Sequence, residues 1–326
     1  MKGEDNLKKI IFIIPYFGKF KNYFQLFLNS CKYNDTVNWL IFTDDYTEFQ
    51  YPNNVKVVYT TFEKIRNQIQ SKFDFKICLE KPYKLCDYKV TYGYVFSEYI
   101  KQYDFWGYCD IDLIWGNIRK FYTDNLLNNN DKIGFYGHCT IYRNNEEINK
   151  MFMKKINGKF KYKEVFTSNE GFAFDEEFHE SINDIFLNQN MKCNFDEYQA
   201  NIYRKSSNFK LVSYDFETQK YITENKKKGF FVFDKGSLYR YYKNVNKIDE
   251  FLYIHMQARE MKVNTNNYEL FKIIPNSFDS IQSDELLQEN IRKVKIKHFN
   301  IHYFKHRFQN LKKKIRKRVK KIWILQ

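Results

Sequence analysis

Proline and glycine are scarce in these 326 residues, 4 and 11 respectively, and no Pro/Gly/Ser-rich linker or internal repeat divides the chain. Cysteine occurs six times but never as C-x-x-C, which argues against a zinc ribbon or a disulfide scaffold and fits a reducing cytoplasm. Long hydrophobic runs are also missing. The apolar run Ile10–Ile14 is five residues long and stops at Pro15, too short for a signal-peptide core or a membrane span. The sharpest absence is of acid from residues 291–326, which hold 14 Lys plus Arg and no Asp or Glu. The net charge is +15, so removing that +14 leaves about +1 for residues 1–290. The chain is therefore a near-neutral body, 1–290, with a basic tail, 291–326.

What is present is apolar and aromatic. Aromatic residues make up 20% and hydrophobic residues 43%, too much for disorder and enough for a substantial core. Heavy use of Lys, Asn, Ile, Tyr and Phe is read partly as AT-rich coding, so single Asn and Lys residues carry little weight. KKIIFIIPYF, NWLIFTDD, VKVVYTTF, DFWGYCDID and KIGFYGHCTIYR read as strands. KNYFQLFLNSCKYN, with Phe24, Phe27, Leu28 and Cys31 at helical spacing, reads as an amphipathic helix, and YKVTYGYVFSEYIKQY is helical in pattern. Strands alternating with helices predict an α/β fold with a mainly parallel central sheet flanked by helices. In such sheets ligands bind beyond the carboxyl ends of the strands. Tyr16, Asp44, Asp45, Asp110 and Asp112 stand there. Residues 150–290 are less readable, and KYITENKKKGFF (220–231) reads as a surface loop or turn.

Asp110 and Asp112 sit one residue apart at the end of an aromatic strand. In extended chain, residues i and i+2 point to one side, so the carboxylates converge with Ile111 facing the core. Two such charges require a proton or a cation, and Mg2+ or Mn2+ suits oxygen ligands while leaving positions for phosphate. A bare D-x-D also occurs by chance at solvated strand ends. Haloacid-dehalogenase phosphatases place D-x-D-x-[TV] on the first strand, but Ile114 holds the last position here. Nucleotidyltransferases carry Gly-Ser shortly before it, but Gly236-Ser237 lies far after.

The motif with its hydrophobic run resembles the metal-binding D-x-D of GT-A glycosyltransferases. The set IIPYFG, FTDD, KPYKLCDYK, FWGYCDID, GHCTIYRN and HMQAREM, over roughly residues 8–275, resembles a little-characterised bacterial family. Its genes lie in capsule, O-antigen and other surface-polysaccharide clusters, and its members are regarded as glycosyltransferases. The resemblance implies a GT-A (Rossmann-like) fold, a nucleotide-sugar donor, with UDP-sugar favoured, and a cytoplasmic active site. Pro15, Tyr16 and Phe17 then frame the nucleotide base, or are a strand-capping turn. Asp44 meets base or ribose, or makes an Asx-turn. Lys84 and Lys89 meet the diphosphate or sugar, or Lys84 is a solvated helix residue, and Asp87 meets the ribose or sugar hydroxyls. His255 completes a metal set with Asp110 and Asp112, or is structural. Arg259 and Lys262 meet the diphosphate, although the Gly-rich spacing of related enzymes is missing. His138 is a second candidate near the acceptor. Asp175, first, and Glu176, second, are candidates for the catalytic acid group in a cluster with Glu177; the alternative is acids favoured at a helix N-terminus.

In the tail, residues 305–321 hold ten Lys or Arg, and Leu311, Ile315, Val319 and Ile322 recur at helical spacing before Trp323. A basic amphipathic helix of this kind suits an anionic membrane surface, contacted through residues 305–326, better than nucleic acid. The expected protein is a hexosyltransferase dependent on Mn2+ or Mg2+. It would act on a lipid-linked oligosaccharide from the periphery of the inner face of the cytoplasmic membrane. The alternative is a non-catalytic membrane- or nucleic-acid-binding protein with a degenerate GT-A-like body.

Overall fold

The computed structural model describes residues 7–323 apart from 177, 226 and 258; in the last helix it leaves out the side chains of residues 302, 306, 313 and 317–323. The chain forms two compact units, one of residues 1–20, 31–111 and 118–197, the other of residues 21–30, 112–117 and 198–326.

The first unit is built on β1 (Ile10–Pro15), β2 (Val37–Thr43), β3 (Val55–Tyr59) and β4 (Phe105–Cys109). They run parallel in the order β3-β2-β1-β4. Every residue of β4 and all but the last of β1 are buried, which is why both read as unbroken apolar runs. The edge strand β3 is buried only at Val55 and is half-buried or exposed beyond it. Strand β5 (Leu113–Trp115) belongs to the second unit. The sheet then turns mixed, because β7 runs against its neighbours, so the expectation of a mainly parallel sheet holds in part. KIGFYGHCTIYR is two strands, β6 (Lys132–Tyr136) and β7 (Cys139–Arg143), folded back at Gly137 and His138. Strands joined by so short a turn must be antiparallel. Strand β7 pairs antiparallel with β4 and β6, and β8 (Cys193–Asn194) adds to β6 in parallel. Strand β1 is flanked by β2 and β4, so the chain direction around the sheet switches there, and Tyr16, Asp44, Asp45 and Asp110 follow the carboxyl ends.

Helix Phe24–Lys32 buries Phe24, Phe27, Leu28 and Cys31 as its periodicity predicts. The region 82–100 is a chain of short turns, not one helix. Its α segments Leu85–Tyr88, Tyr92–Val95 and Ser97–Ile100 are broken by a 3-10 turn at Lys89–Thr91. Thr91 Oγ1 donates to Tyr88 O (2.8 Å), a back-bond of the kind that bends helices. The core of this unit is aromatic: Trp106 stacks on Tyr142 at 4.7 Å, and its Nε1 donates to Asn149 (2.6 Å).

In the second unit, β9 (Ala200–Asn201) precedes an exposed hairpin of β10 (Val212–Asp215) and β11 (Lys220–Thr223). Next come β12 (Gly229–Asp234), β13 (Ser237–Tyr242), β14 (Ile248–Glu250), β15 (Tyr253–His255), β16 (Lys262–Asn264), β17 (Leu270–Ile274) and β18 (Ser277–Ser280). Six of these make a sheet in the order β14-β13-β12-β17-β18-β16, while β15 lies between β5 and β9. The stretch 220–231, expected as a surface loop or turn, holds the whole of β11 and the start of β12. It was illegible as strand because Tyr221 and Ile222 are exposed in a two-stranded ribbon. Helix Ile301–Trp323 ends the described chain; Asn300 Oδ1 accepts from Tyr303 N (2.8 Å) at its start. No helix among the described residues is long and apolar enough to cross a membrane.

Gly107 lets β7 approach β4, since a Cβ there would lie 2.5 Å from Thr140 O and 2.6 Å from Ile141 Cγ2. Gly107→Ala is expected to lose about 1–3 kcal/mol in urea unfolding. An unchanged midpoint would mean that the two strands part without cost.

Candidate active site

In the first unit, β4 delivers Asp110 into a cluster around Lys89. Lys89 Nζ lies 2.7 Å from Asp110 Oδ1, 2.7 Å from Gly137 O and 3.7 Å from Asp175 Oδ2. Burial by itself would lower this amine. The carboxylates of Asp110 and Asp175 outweigh burial and hold it well above the ordinary lysine value. Asp175 is buried, and that burial pushes its carboxyl up to about 8 against the pull of Lys89, with Glu176, Asp87 and Asp110 adding to the rise. Gly137 makes room for it, because a Cβ there would lie 2.5 Å from Asp175 Oδ2. The Gly137 N–H donates to Glu176 Oε2 (3.2 Å), and the His138 carbonyl accepts from Asp110 N (3.0 Å). The hairpin turn that was missed in the sequence is therefore the floor of the cluster. Glu177 lies outside the described residues.

Lys84 and Asp87 form a buried ion pair of 2.8 Å. Asp87 also accepts from Phe172 N (3.1 and 3.2 Å) and Phe174 N (3.0 Å), so the pair holds the segment that leads into Asp175. At the ends of β1 and β2 the acids brace the loop 16–20. Asp44 accepts from Gly18 N (2.7 Å); Asp45 accepts from Lys19 Nζ (2.6 Å) and Phe20 N (2.9 Å). Burial opposes ionisation of Asp45, but these donors outweigh it and hold the carboxyl well below the usual range. Tyr16 stacks on Phe20 at 5.0 Å, and Phe17 packs edge-on to Phe62 at 5.5 Å; Pro15 ends β1.

In the second unit, Asp112 precedes β5 and His255 ends β15. The antiparallel pairing sets His255 beside Leu113, and Met256 N donates to Asp112 O (3.0 Å). His255 Nε2 stands 3.3 Å from Asp112 Oδ1, with both residues buried. The other ring nitrogen, Nδ1, is 3.3 Å from Asn201 Oδ1, which also accepts from Gln257 Nε2 (2.8 Å). An amide oxygen can only accept, so a proton on Nδ1 serves Asn201 and leaves the Nε2 lone pair facing a carboxylate, whereas a proton on Nε2 serves Asp112 instead. Two acceptors at that distance need a proton or a cation between them. Asn201 was not found in the sequence, because nothing in the two-residue strand β9 marks it as a partner of His255. Arg259 is buried four residues later, donates to Ser206 O (2.7 Å) and lies 5.5 Å over Phe209. Burial pushes its guanidinium down to about 10, and Nη1 has no hydrogen-bond partner among the described residues. Lys262, at the start of β16, is exposed.

Asp110 and Asp112 belong to different compact units, but only Ile111 separates them, so their Cα atoms lie within roughly 7 Å by chain connectivity alone. The expected extended stretch is instead a bend at Ile111 and Asp112, with Ile111 buried.

A family of unknown function (DUF6625) matches residues 12–282. No curated protein matches the chain. Among solved structures, the galactosyltransferase LgtC in complex with donor and acceptor sugar analogs aligns over 60% of this chain and 75% of its own, at 12% identity and a TM-score of 0.34. An active-site mutant of LgtC aligns over 60% and 74%, with the same identity and TM-score. A likeness of that degree decides nothing about fold or activity.

The Asp175 carboxyl gives a pH signature. The folded protein keeps its proton up to about 8, whereas the unfolded chain releases it near 3.8. Stability of the metal-free protein should fall as pH rises from 4 to 8, and Asp175→Asn should flatten that fall. Denaturation in EDTA at pH 5 and pH 8 checks this; equal slopes in both proteins would mean that Asp175 is ionised throughout.

Proposed function

The chain belongs to that family of unknown function, DUF6625, and from there we propose that it is a metal-dependent glycosyltransferase with a GT-A-type body. It moves a sugar, a hexose in our reading, from a nucleotide-diphosphate donor, UDP-sugar favoured, to a lipid-linked bacterial surface glycan of the capsule or lipopolysaccharide type. The observation that carries the proposal is the buried Asp112–His255 pair with Asn201 behind the ring, on a chain that brings Asp110 two residues earlier.

Two carboxylates and one imidazole nitrogen are a donor set suited to Mn2+ or Mg2+, and Asp110, Asp112 and His255 would hold the ion. When bound, the ion neutralises charge on the departing nucleoside diphosphate. Asn201 keeps the imidazole in the tautomer that presents Nε2. Arg259 turns its unpartnered Nη1 to a phosphate oxygen, with Lys262 beyond it. Lys89 holds Asp110 and Asp175 in place until substrate enters, then serves the diphosphate or sugar. Lys84 and Asp87 fix the 172–174 segment and with it Asp175. Pro15, Tyr16, Phe17 and Asp44 frame base and ribose. Asp175 in its ionised form, or Glu176 beside it, takes the proton of the acceptor hydroxyl if the reaction inverts, and stabilises the donor sugar if it retains.

The tail holds the protein at the inner face of the cytoplasmic membrane through residues 305–326. Phe304, Phe308, Leu311 and Ile315 recur three or four residues apart on the helix Ile301–Trp323 and are all exposed, flanked by lysine and arginine. Val319 and Ile322, expected in the same stripe, have side chains outside the described residues.

Calorimetric titration of UDP, GDP and CDP, with and without Mn2+, tests the donor site. One nucleotide should bind only with Mn2+ and be lost in Asp112→Asn, while Asn201→Leu should weaken Mn2+ by roughly 10–100-fold. Binding of no nucleotide in any condition would sink the enzyme reading and favour the non-catalytic one. Separately, Phe304→Ser/Phe308→Ser should lower partition onto phosphatidylglycerol vesicles at least ~10-fold, since each buried CH2 contributes about 0.8 kcal/mol. Unchanged partition would remove the helix from the membrane.

A further inference from the structure

The second unit contains a cleft of about 370 Å³ whose charged lining residues are all cations. Lys227, Lys228, Lys243, Arg292 and Lys297 surround it without an Asp or Glu; Asn208 and Asn244 add amides, and Phe209 and Ile296 an apolar wall. Lysines are common in this chain, but their partnering here is unusual. The carboxylate of Glu224 accepts two hydrogen bonds from Arg240 (2.6 and 3.0 Å) and has Lys227 as a further cation at 3.5 Å. Lys228, Lys243, Arg292 and Lys297 make no ion pair with a carboxylate among the described residues. Lys243 Nζ donates to the carbonyl of Val294 (2.8 Å), a neutral partner. Its backbone N–H donates to Lys228 O (2.9 Å), which fixes the two lysines side by side. Burial and the neighbouring Lys228 ammonium hold the Lys243 amine below the ordinary lysine value.

Like charges converging on a concave surface without counter-charge repel one another, and a multivalent anion relieves that repulsion. Amides and an arginine fork suit phosphate oxygens. The position narrows the class further. Lys297 lines the cleft, and the helix with the exposed apolar stripe begins four residues on, at Ile301. A phosphate group held here thus sits close along the chain to a helix face suited to acyl chains.

We propose that this cleft is a phosphate site that takes the phosphate or diphosphate headgroup of a membrane lipid. None of its residues belongs to the donor site, and binding there does not depend on the glycosyltransferase reading. That the lipid is the diphosphate carrier of the acceptor glycan does rest on that reading.

The full chain is titrated with inorganic pyrophosphate in EDTA, which closes any metal-dependent route. It is then sedimented with phosphatidylcholine vesicles containing equal fractions of phosphatidic acid or phosphatidylglycerol. Wild type should bind pyrophosphate and prefer phosphatidic acid, whose phosphomonoester can enter the cleft. Lys228→Gln/Lys243→Gln/Arg292→Gln should weaken pyrophosphate at least ~10-fold, about 1.4 kcal/mol. It should also abolish the preference while keeping the thermal midpoint and the helix-driven binding to phosphatidylglycerol. No pyrophosphate binding, or equal binding by the triple variant, would overturn the site. Pyrophosphate binding with no preference for phosphatidic acid would overturn the lipid assignment in favour of free phosphate. Tighter binding of single-stranded RNA than of vesicles, lost in the same variant, would overturn it in favour of nucleic acid. Metal-dependent nucleotide binding by the triple variant separates failure here from failure of the donor site.

Discussion

A carboxylate removed from water needs a counter-charge, and the polar interior of this protein is arranged around that need. Asp45 is matched by Lys19 and Asp87 by Lys84, while Asp112 has only the imidazole of His255 beside it. The exception is Lys89, which serves both Asp110 and Asp175. One ammonium serves two carboxylates, and at Asp175 burial outweighs the pull of Lys89 and raises the affinity for a proton, with Glu176, Asp87 and Asp110 adding to it. The chain continues from Asp110 to a second buried acid, Asp112, whose partner is neutral unless it takes a proton of its own. Around the Asp110-Ile111-Asp112 bend, negative charge exceeds fixed positive charge, which is the condition under which a divalent cation is held by carboxylates instead of by water.

The same pairs organise the backbone. Asp87 accepts from Phe172 N and Phe174 N, so the ion pair with Lys84 fixes the chain just before Asp175. Asp44 and Asp45 tie Gly18 and Phe20 to the end of β2. Gly137 gives up a side chain, and the Asp175 carboxylate takes the space. A candidate ligand-binding role and a bracing role are therefore not rivals for these residues. The groups that would meet a donor are rigid because they already hold the loops that carry them.

Legibility in the sequence followed burial geometry. Strands β1, β2 and β4 are covered on both faces, so they read as apolar runs, and the polar residues that end them stood out. The β6–β7 hairpin reads as one strand because both arms are apolar and its turn, Gly137-His138, lacks the usual Asn-Gly or Asp-Gly signal. The second unit was harder. In β13, Arg240 shares the buried face with Leu238 and Tyr242, so a charged residue masks the alternation, and only the distant Glu224 makes that burial tolerable. The D-x-D and His255 could be picked out by residue type, whereas Asn201 could not, since its place opposite His255 comes from the parallel pairing of β9 with β15.

Charge counted along the sequence placed nearly all the excess in residues 291–326. Three cleft lysines, Lys227, Lys228 and Lys243, lie in the body, where acids elsewhere cancel them in the sum but not in space. The Debye length at physiological salt is about 8 Å, so the body's near-neutral total does not shield a ligand from five neighbouring cations. The tail and the cleft act over that short range and have the same sign. An anionic surface that attracts the helix also attracts the cleft, and the apolar stripe on the helix then selects a lipid surface over a merely charged one. In the proposed membrane role, the two features together would set how the protein faces the surface, which neither an apolar stripe nor a basic patch would do alone.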